Sequence, residues 1–298
     1  MSLLSVANSR LGPWLAIFLA SRLPRPQAQR LALWLADRVA ADPSLPLVRA
    51  VRGNLAVVRG LSPDDPALDG YVAQLLRNAG IGYVDVFRGI ARGQSALLEL
   101  CRLDPGFEAG LRGALDSGRG VVAVGAHMSS FDLFLLTILA RGFHGLGLAF
   151  REIQGSYPVL NRLRREHGLE IMTVSVPALR AAIARLRQGG LVITGVDRPV
   201  PEGELLPFFG RPARMPTGHA RLALRTGALI AAGVCQSEGD GRYRIVGRII
   251  DPQEMGLGRG GEIALTQKVL SVLEGHIRER PEEWLMFFPV WEAPPAAA

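Results

Sequence analysis

The sequence has little lysine, and composition alone does not reveal why. Of its 34 basic residues only Lys268 is a lysine, so the net charge of +7 is almost entirely guanidinium. Arginine binds phosphate and carboxylate groups through two parallel hydrogen bonds and tolerates partial burial better than lysine. A basic chain that is 48% hydrophobic suits nucleic acid, anionic lipid or an acidic protein partner, and a GC-rich genome gives the same arginine usage. Composition therefore leaves the partner open.

Cysteine is scarce, and a serine-hydrolase motif is missing. Cys101 and Cys235 lie far apart and match no metal-binding or redox spacing, so we expect small core or surface residues rather than a disulfide. No metal site is expected. The absence of a Gly-x-Ser-x-Gly elbow argues against a serine-based hydrolase. A hydrolase that works without such a serine stays open as an alternative.

A long apolar run is also lacking. The most membrane-like segment, LGPWLAIFLASRL (11–23), has an uncharged apolar part of ten residues, 11–20, against the roughly 20 that a membrane-spanning helix needs. Arg10 and Arg22 flank this part, and Trp14 lies inside it. The pattern predicts a helix lying in the membrane interface, with a core helix of a soluble domain as the alternative. We see no cleavable signal peptide.

The pattern of apolar residues changes near residue 95. Residues 1–95 form helical stretches separated by proline-rich breaks. From 96 to 298, valine-rich runs alternate with helical segments, and a proline-rich loop follows the run LVITGV. Such alternation predicts an α/β fold with a mixed, mainly parallel sheet flanked by helices. We expect a helical N-terminal portion (1–95) and an α/β core (96–298) within one continuous domain.

The segment GAHMSSFDL (125–133) has the clearest catalytic potential. VVAVGA predicts a buried strand, and a helix follows within a few residues of His127. Ligands bind at this edge of open α/β sheets. Asp132, five residues on, is predicted to orient the imidazole, so that His127 removes a proton from a hydroxyl. A histidine and an aspartate at this spacing also occur by chance, and alone are more often structural.

Three ordered blocks resemble the glycerolipid and lysophospholipid acyltransferase superfamily over roughly residues 10–292. The first is His-x-x-x-x-Asp, and the others are AFREIQGSYPVLNRLRREHGLEIMTV and DRPVPEGELLPFFGRPARMPTGHARLALRTGALI. The upstream segment RGNL, with Asn54, also matches. The nearest branch is that of the bacterial lipid A acyltransferases and the phosphatidylinositol mannoside acyltransferases.

This resemblance implies an enzyme that moves a fatty acyl chain from a thioester to a hydroxyl. It implies no permanently bound cofactor, with acyl-CoA or acyl carrier protein as donor. His127 and Asp132 are the implied catalytic pair. Residues expected to hold substrate or phosphate are Arg151, Arg164, Asp197, Arg198, Arg214, Thr217 and Gly218. Residues expected to line an acyl tunnel are Phe131, Phe208 and Phe209.

The sequence departs from the nearest branch at two places. The branch commonly has His-x-Gly-Asn-Trp-Asp/Glu, whereas this chain has His-Met-Ser-Ser-Phe-Asp, which leaves the acceptor open between a glycolipid and a lysophospholipid. Close relatives also have a second acidic residue before the Phe-Phe-Gly block. Either Asp197 is this second acidic residue, shifted by one position, or this chain lacks it.

We therefore predict a membrane-associated O-acyltransferase, with a catalytically impaired lipid-binding protein as the alternative. Its expected partners are an anionic membrane surface, a lipid acceptor and, as an open possibility, acyl carrier protein. The expected location is the cytoplasmic face of a bacterial inner membrane, without a span. Nucleic acid is not an expected partner, because the arginines are spread through helices without a recognised module.

Overall fold

A helical layer forms the N-terminal part of the chain. The computed structural model describes residues 22–149, 164–165 and 168–291, so the predicted interfacial segment lies outside the described residues except for Arg22 and Leu23. Proline at the first helical positions starts α1 and α2, where its missing N–H costs no helical hydrogen bond. The helices are α1 (Arg25–Ala40), α2 (Pro46–Arg59), α3 (Ala67–Arg92) and α4 (Gln94–Leu100).

One seven-stranded sheet organises the rest of the described chain, in the order β1-β9-β8-β2-β5-β3-β4. Strands β8, β2, β5, β3 and β4 run parallel, and β9 is antiparallel to β8. The predicted α/β class with a mainly parallel sheet and a helical N-terminal portion is confirmed. The strands are β1 (Cys101–Leu103), β2 (Val121–Gly125), β3 (Gly145–Ala149), β4 (Glu170–Thr173), β5 (Leu191–Gly195), β8 (Leu229–Ser237) and β9 (Tyr243–Ile250).

Helices cover both faces of this sheet. Val122 and Val124 of β2 pack in one core with residues of α7, α8 and α9, whereas Val121 and Ala123 pack in a second core with α5 and α6. A strand buried on both faces has no polar alternation, which explains its continuous apolar run. The covering helices are α5 (Pro105–Asp116), α6 (Phe131–Ala140), α7 (Val176–Arg187), α8 (Gly218–Thr226) and α9 (Arg259–Glu279).

The proline-rich loop predicted after LVITGV contains a β-hairpin, so that prediction was wrong. Strands β6 (Glu204–Phe208) and β7 (Arg211–Met215) pair antiparallel, with Pro207 opposite Pro212. A two-stranded ribbon has only edge strands, where proline needs no partner for its missing N–H. Proline therefore concealed the hairpin.

Two further expectations concern the cysteines and the membrane. Cys101 and Cys235 are both buried free thiols, as expected of small core residues. Across the described ranges, every helix is too short or too polar to cross a bilayer.

Close backbone packing just before β2 gives a stability test. A Cβ added to Gly120 would lie 2.3 Å from the Leu186 carbonyl oxygen, whereas a Cβ added to the exposed Gly113 of α5 meets nothing within 4 Å. We expect Gly120→Ala to lower the free energy of unfolding by roughly 2–3 kcal/mol, because rigid backbone must move. Gly113→Ala, the control, should be neutral or stabilising by up to about 1 kcal/mol. Urea unfolding measures both, and equal stabilities would contradict the packing described.

Candidate active site

The register of two neighbouring strands brings His127 and Asp197 together. Strands β2 and β5 pair in parallel, with Gly125 opposite Gly195 as the last pair. Each chain then leaves the same edge of the sheet, and the second residue beyond each glycine carries a reactive side chain. The two residues thus lie at the carboxyl ends of adjacent parallel strands, where ligands bind in open α/β sheets.

Asp197 holds His127 through both of its carboxylate oxygens. Oδ1 lies 2.7 Å from Nδ1 of the imidazole, and Oδ2 accepts a hydrogen bond of 2.8 Å from the His127 backbone N–H. A carboxylate on Nδ1 favours the tautomer that carries its proton there, which leaves the lone pair on Nε2. Asp197 is completely buried, whereas 29% of the His127 side chain is exposed. Asp197 therefore orients the imidazole from the protein interior, while part of the ring remains accessible to solvent.

The electrostatics of this pair favour a charged imidazole. Burial opposes protonation of His127, but the charge and hydrogen bond of Asp197 outweigh burial, so the pKa of His127 is raised. Arg164 acts in the opposite direction, and Asp132 adds to the rise. Burial likewise favours the neutral form of Asp197, but the contacts with His127 and Trp284 prevail and lower the pKa of Asp197. The basicity of His127 is thus set by Asp197.

Asp132 does not orient His127, so the predicted hydrogen bond between them is corrected. Its Oδ1 accepts a hydrogen bond of 2.8 Å from Nε of Arg164, and both side chains are less than a tenth exposed. Asp132 lies at the start of α6, while the position facing Nδ1 is filled from β5. Separating two charges that are buried from water is costly, so Asp132 holds the Arg164 guanidinium in place.

Phe131 contacts both the histidine and the guanidinium of this ion pair. Its ring centroid is 4.7 Å from that of His127 at an interplanar angle of 65°, and the guanidinium carbon of Arg164 is 5.3 Å from the Phe131 centroid. Edge-to-face rings and a cation near an aromatic ring are both favourable arrangements. The described contacts place Phe131 at the histidine, and its role as a tunnel wall stays a prediction.

The residues expected to hold substrate or phosphate come from several segments of the chain. Arg198 follows Asp197, and its guanidinium carbon lies 3.8 Å from the centroid of the Phe288 ring. Arg214 is exposed on the β6–β7 hairpin, and Arg151 lies outside the described residues. Thr217 and Gly218 begin α8, where backbone N–H groups point outwards.

One of the residues expected to hold substrate or phosphate, Asp197, lies against His127 instead. Asp197 was expected among the groups that hold substrate or phosphate, but its carboxylate is buried on the histidine and would repel an anion. The alternative in which Asp197 supplies a second acidic residue agrees with this position.

Phe208 and Phe209 belong to a packed aromatic cluster. Their ring centroids are 4.7 Å apart, and each lies about 6 Å from Trp284 and from Trp291. Both phenylalanines are less than a tenth exposed. The observed contacts make them a support for the indole of Trp284, and their predicted part in an acyl tunnel remains untested.

Trp284 is the site residue that sequence reasoning missed. Its indole Nε1–H donates a hydrogen bond of 2.9 Å to Oδ2 of Asp197, and only 1% of the residue is exposed. It lies 87 positions after Asp197 and beyond the last helix, so no spacing pointed to it. For Asp197 a signal existed, because it follows the valine-rich run LVITGV as His127 follows VVAVGA.

Two matched substitutions distinguish the carboxylates. Asp197→Asn removes the charge bonded to Nδ1, so we expect a clear fall in the pKa of His127. Asp132→Asn should cause a smaller fall, because that carboxylate acts mainly on Arg164. An NMR titration of the His127 ring measures both variants. A larger effect from Asp132→Asn would contradict the assignment.

Known proteins identify the family. The family model described as "Bacterial lipid A biosynthesis acyltransferase" matches residues 13–293. The chain is 29% identical over 251 residues to a phosphatidylinositol mannoside acyltransferase of Mycobacterium tuberculosis, covering 82% of this chain and 77% of the relative. A protein of the same name from Mycolicibacterium smegmatis is 29% identical over 248 residues, covering 82% and 79%. The matched region includes both strands that lead to the histidine and its carboxylate. The chain therefore belongs to the bacterial lipid A biosynthesis acyltransferase family.

Proposed function

We propose that this lipid acyltransferase moves a fatty acyl chain from a thioester to a hydroxyl group of a membrane lipid, with His127 as general base. The observation that carries the proposal is the 2.7 Å contact between Nδ1 of His127 and Oδ1 of Asp197 at the ligand-binding edge of the sheet. Asp197 orients the base in this proposal, in place of Asp132.

In the proposed reaction, His127 transfers one proton from the acceptor hydroxyl to the departing thiolate. Nε2 of His127 takes the proton of the acceptor hydroxyl while the hydroxyl oxygen attacks the thioester carbonyl carbon. The carbon–sulfur bond of the tetrahedral intermediate then breaks. The proton passes from Nε2 to the departing thiolate, which leaves as a thiol. The products are an ester and a free thiol, and His127 returns to its neutral form.

Arg164 is our candidate for stabilising the oxyanion of the intermediate. Its charge acts on His127 and lowers the pKa of the imidazole against the larger effect of Asp197, and Asp132 holds its guanidinium in place. A fixed positive group near the developing charge lowers the barrier without having to reorganise during the reaction.

The donor is acyl-CoA or acyl-loaded carrier protein, and both carry phosphate groups. Arg198 and the exposed Arg214 are candidates for binding these anions, together with the backbone N–H groups of Thr217 and Gly218. Arg151 keeps the same proposed role from its sequence position alone. An acidic carrier protein would also suit a chain with a net charge of +7.

The acceptor is a glycolipid or a lysophospholipid, and we favour the glycolipid. The names of the mycobacterial relatives support a mannosylated phosphatidylinositol as the first acceptor to test. The altered segment Met128 to Phe131 beside the histidine keeps the lysophospholipid as the second.

We propose that the enzyme lies peripherally, as a monotopic protein, on the cytoplasmic face of a bacterial inner membrane. Support comes from α1, where Trp34 and Leu31 are 45% and 37% exposed and Arg38 lies over the Trp34 ring. Aromatic and basic side chains on one helix suit the boundary between lipid headgroups and acyl chains. The predicted interfacial segment 11–23 immediately precedes this helix.

The decisive experiment compares two histidines. The full chain is incubated with palmitoyl-CoA or palmitoyl-loaded carrier protein and with each acceptor, and products are identified by mass spectrometry. We expect His127→Ala to lower acyl transfer by roughly 10²–10⁴-fold, because the general base is lost. His144→Ala, at an exposed histidine away from the site, is the control and should keep its activity.

Retained transfer in His127→Ala would overturn the proposed mechanism. Lipid binding without transfer by the wild-type chain would instead support the catalytically impaired alternative, and free fatty acid without ester would indicate a hydrolase.

The pH dependence follows from the raised pKa of His127. Only the neutral imidazole accepts a proton, so kcat/KM should rise with pH and level off once His127 is deprotonated. The midpoint should lie above the ordinary value of 6.5, because Asp197 stabilises the imidazolium. Initial rates between about pH 5 and 9 measure this midpoint. A midpoint below 6.5 would show that Asp197 does not control the base.

A further inference from the structure

The C-terminal segment, residues 281–291, is joined to the loop that carries His127. The backbone N–H of Ser129 donates to the Glu283 carbonyl at 2.6 Å, and the N–H of Leu285 donates to the His127 carbonyl at 2.7 Å. Between these bonds Met128 and Trp284 form an antiparallel bridge. The backbone of the catalytic loop thus depends on a segment more than 150 residues away in sequence.

Asn54 of α2 fixes the same segment from the other side. Its Nδ2 donates to the carbonyl oxygens of Met286 and Phe288 at 3.0 and 2.8 Å, and its Oδ1 accepts from the Val290 N–H at 3.1 Å. Asn54 is only 3% exposed. One buried amide therefore satisfies three backbone groups that would otherwise lack partners.

Glu283 attaches the start of the segment to the sheet. One carboxylate oxygen accepts a bond of 3.0 Å from the Ser237 N–H at the end of β8, and the other lies 3.1 Å from a nitrogen of Arg280. The segment is thus held on both sides of Trp284, by Glu283 before it and by Asn54 after it.

The indole of Trp284 has little freedom to move. The centroid of its ring lies 6.0 Å from the centroids of both Phe208 and Phe209, and 6.3 Å from that of Trp291. The only polar atom of the ring donates to Asp197, and that oxygen also accepts the His127 backbone N–H. A donor fixed by packing on all sides restricts the carboxylate to one orientation.

We propose that Trp284 is a positioning residue for acyl transfer, holding Asp197 against His127, and that Asn54 acts through the C-terminal segment to keep Trp284 in place. This inference rests on the proposed role of His127 as base. A purely structural role for Trp284 is the competing account, because a buried indole in an aromatic cluster stabilises the fold wherever its N–H points.

The same aromatic cluster offers a matched control. The indole N–H of Trp291 donates to the backbone carbonyl of Phe208 at 3.2 Å, away from Asp197. Trp284→Phe and Trp291→Phe each remove one indole N–H from this cluster and retain an aromatic ring. They differ in whether the lost bond reached the carboxylate.

The first measurement is an NMR titration of His127 in the full-length variants, which needs no substrate. Among the described residues, the charged groups that act on this ring are Asp197, Asp132 and Arg164, and both substitutions leave all three unchanged. We expect Trp284→Phe to shift the pKa of His127 by about half a unit. The expected shift is downward, because Asp197 turns away from Nδ1 and stabilises the imidazolium less. An upward shift would mean that Asp197 stays in place without the indole, and it would overturn the inference. Trp291→Phe should leave the pKa unchanged.

Kinetics and hydrogen exchange extend the test. With palmitoyl-CoA as donor, kcat of Trp284→Phe should fall about three- to ten-fold at unchanged KM, with its pH midpoint following the NMR value. Asn54→Ala should accelerate amide hydrogen exchange at Ser129 and Leu285. If Asn54→Ala does not fold, the comparison of the two tryptophan variants still tests the positioning role of Trp284.

Equal pKa values of His127 in Trp284→Phe and Trp291→Phe would overturn the inference and leave Trp284 structural. Unchanged exchange in folded Asn54→Ala would remove Asn54 from the account. An active His127→Ala enzyme would refute the base itself while the NMR difference persisted, so the two proposals fail separately.

Discussion

The arrangement of the site depends on one buried interaction, the contact of Asp197 with His127. A carboxylate without solvent is costly unless charged or hydrogen-bonding partners surround it. Asp197 meets this requirement with the imidazole, the backbone N–H of His127 and the indole of Trp284. These partners come from the loop after β2 and from the C-terminal segment, so the carboxylate connects the sheet with residues near the end of the described chain. The geometry of the candidate site therefore depends on contacts between distant parts of the fold.

A short sequence motif does not show which of its residues touch each other. His127 and Asp132 lie in one short segment, yet Asp132 binds Arg164 and the histidine binds Asp197. The helix start presents Asp132 towards the guanidinium, whereas parallel pairing of β2 with β5 presents Asp197 to Nδ1. Two carboxylates consequently have two partners, with Asp197 orienting the imidazole of His127 and Asp132 fixing the guanidinium of Arg164. This division follows from the sheet register and not from spacing along the chain.

Local sequence patterns predicted most strands of the seven-stranded sheet and most helices, since a strand such as Val121–Gly125 has a continuous apolar run wherever both its faces are buried. They also located His127, because a strand end followed by a helix is a local feature. The partners of Trp284 and Asn54 are contacts across 87 and more than 230 positions, which no periodicity encodes. The β6–β7 hairpin was missed for the opposite reason, since its prolines are typical of a loop. Strand order was the missing information: with β2 and β5 known to be neighbours, Asp197 would have been paired with His127.

The tautomer of neutral His127 tests the central claim most directly. A base oriented by Asp197 must carry its proton on Nδ1 and leave Nε2 free for the acceptor hydroxyl. Nitrogen-15 NMR of histidine-labelled protein, recorded above the pKa of His127 and assigned with His127→Ala, distinguishes the two ring nitrogens. We predict a protonated Nδ1 and an unprotonated Nε2. A proton on Nε2 would contradict the account, because the lone pair would then face Asp197 rather than the substrate.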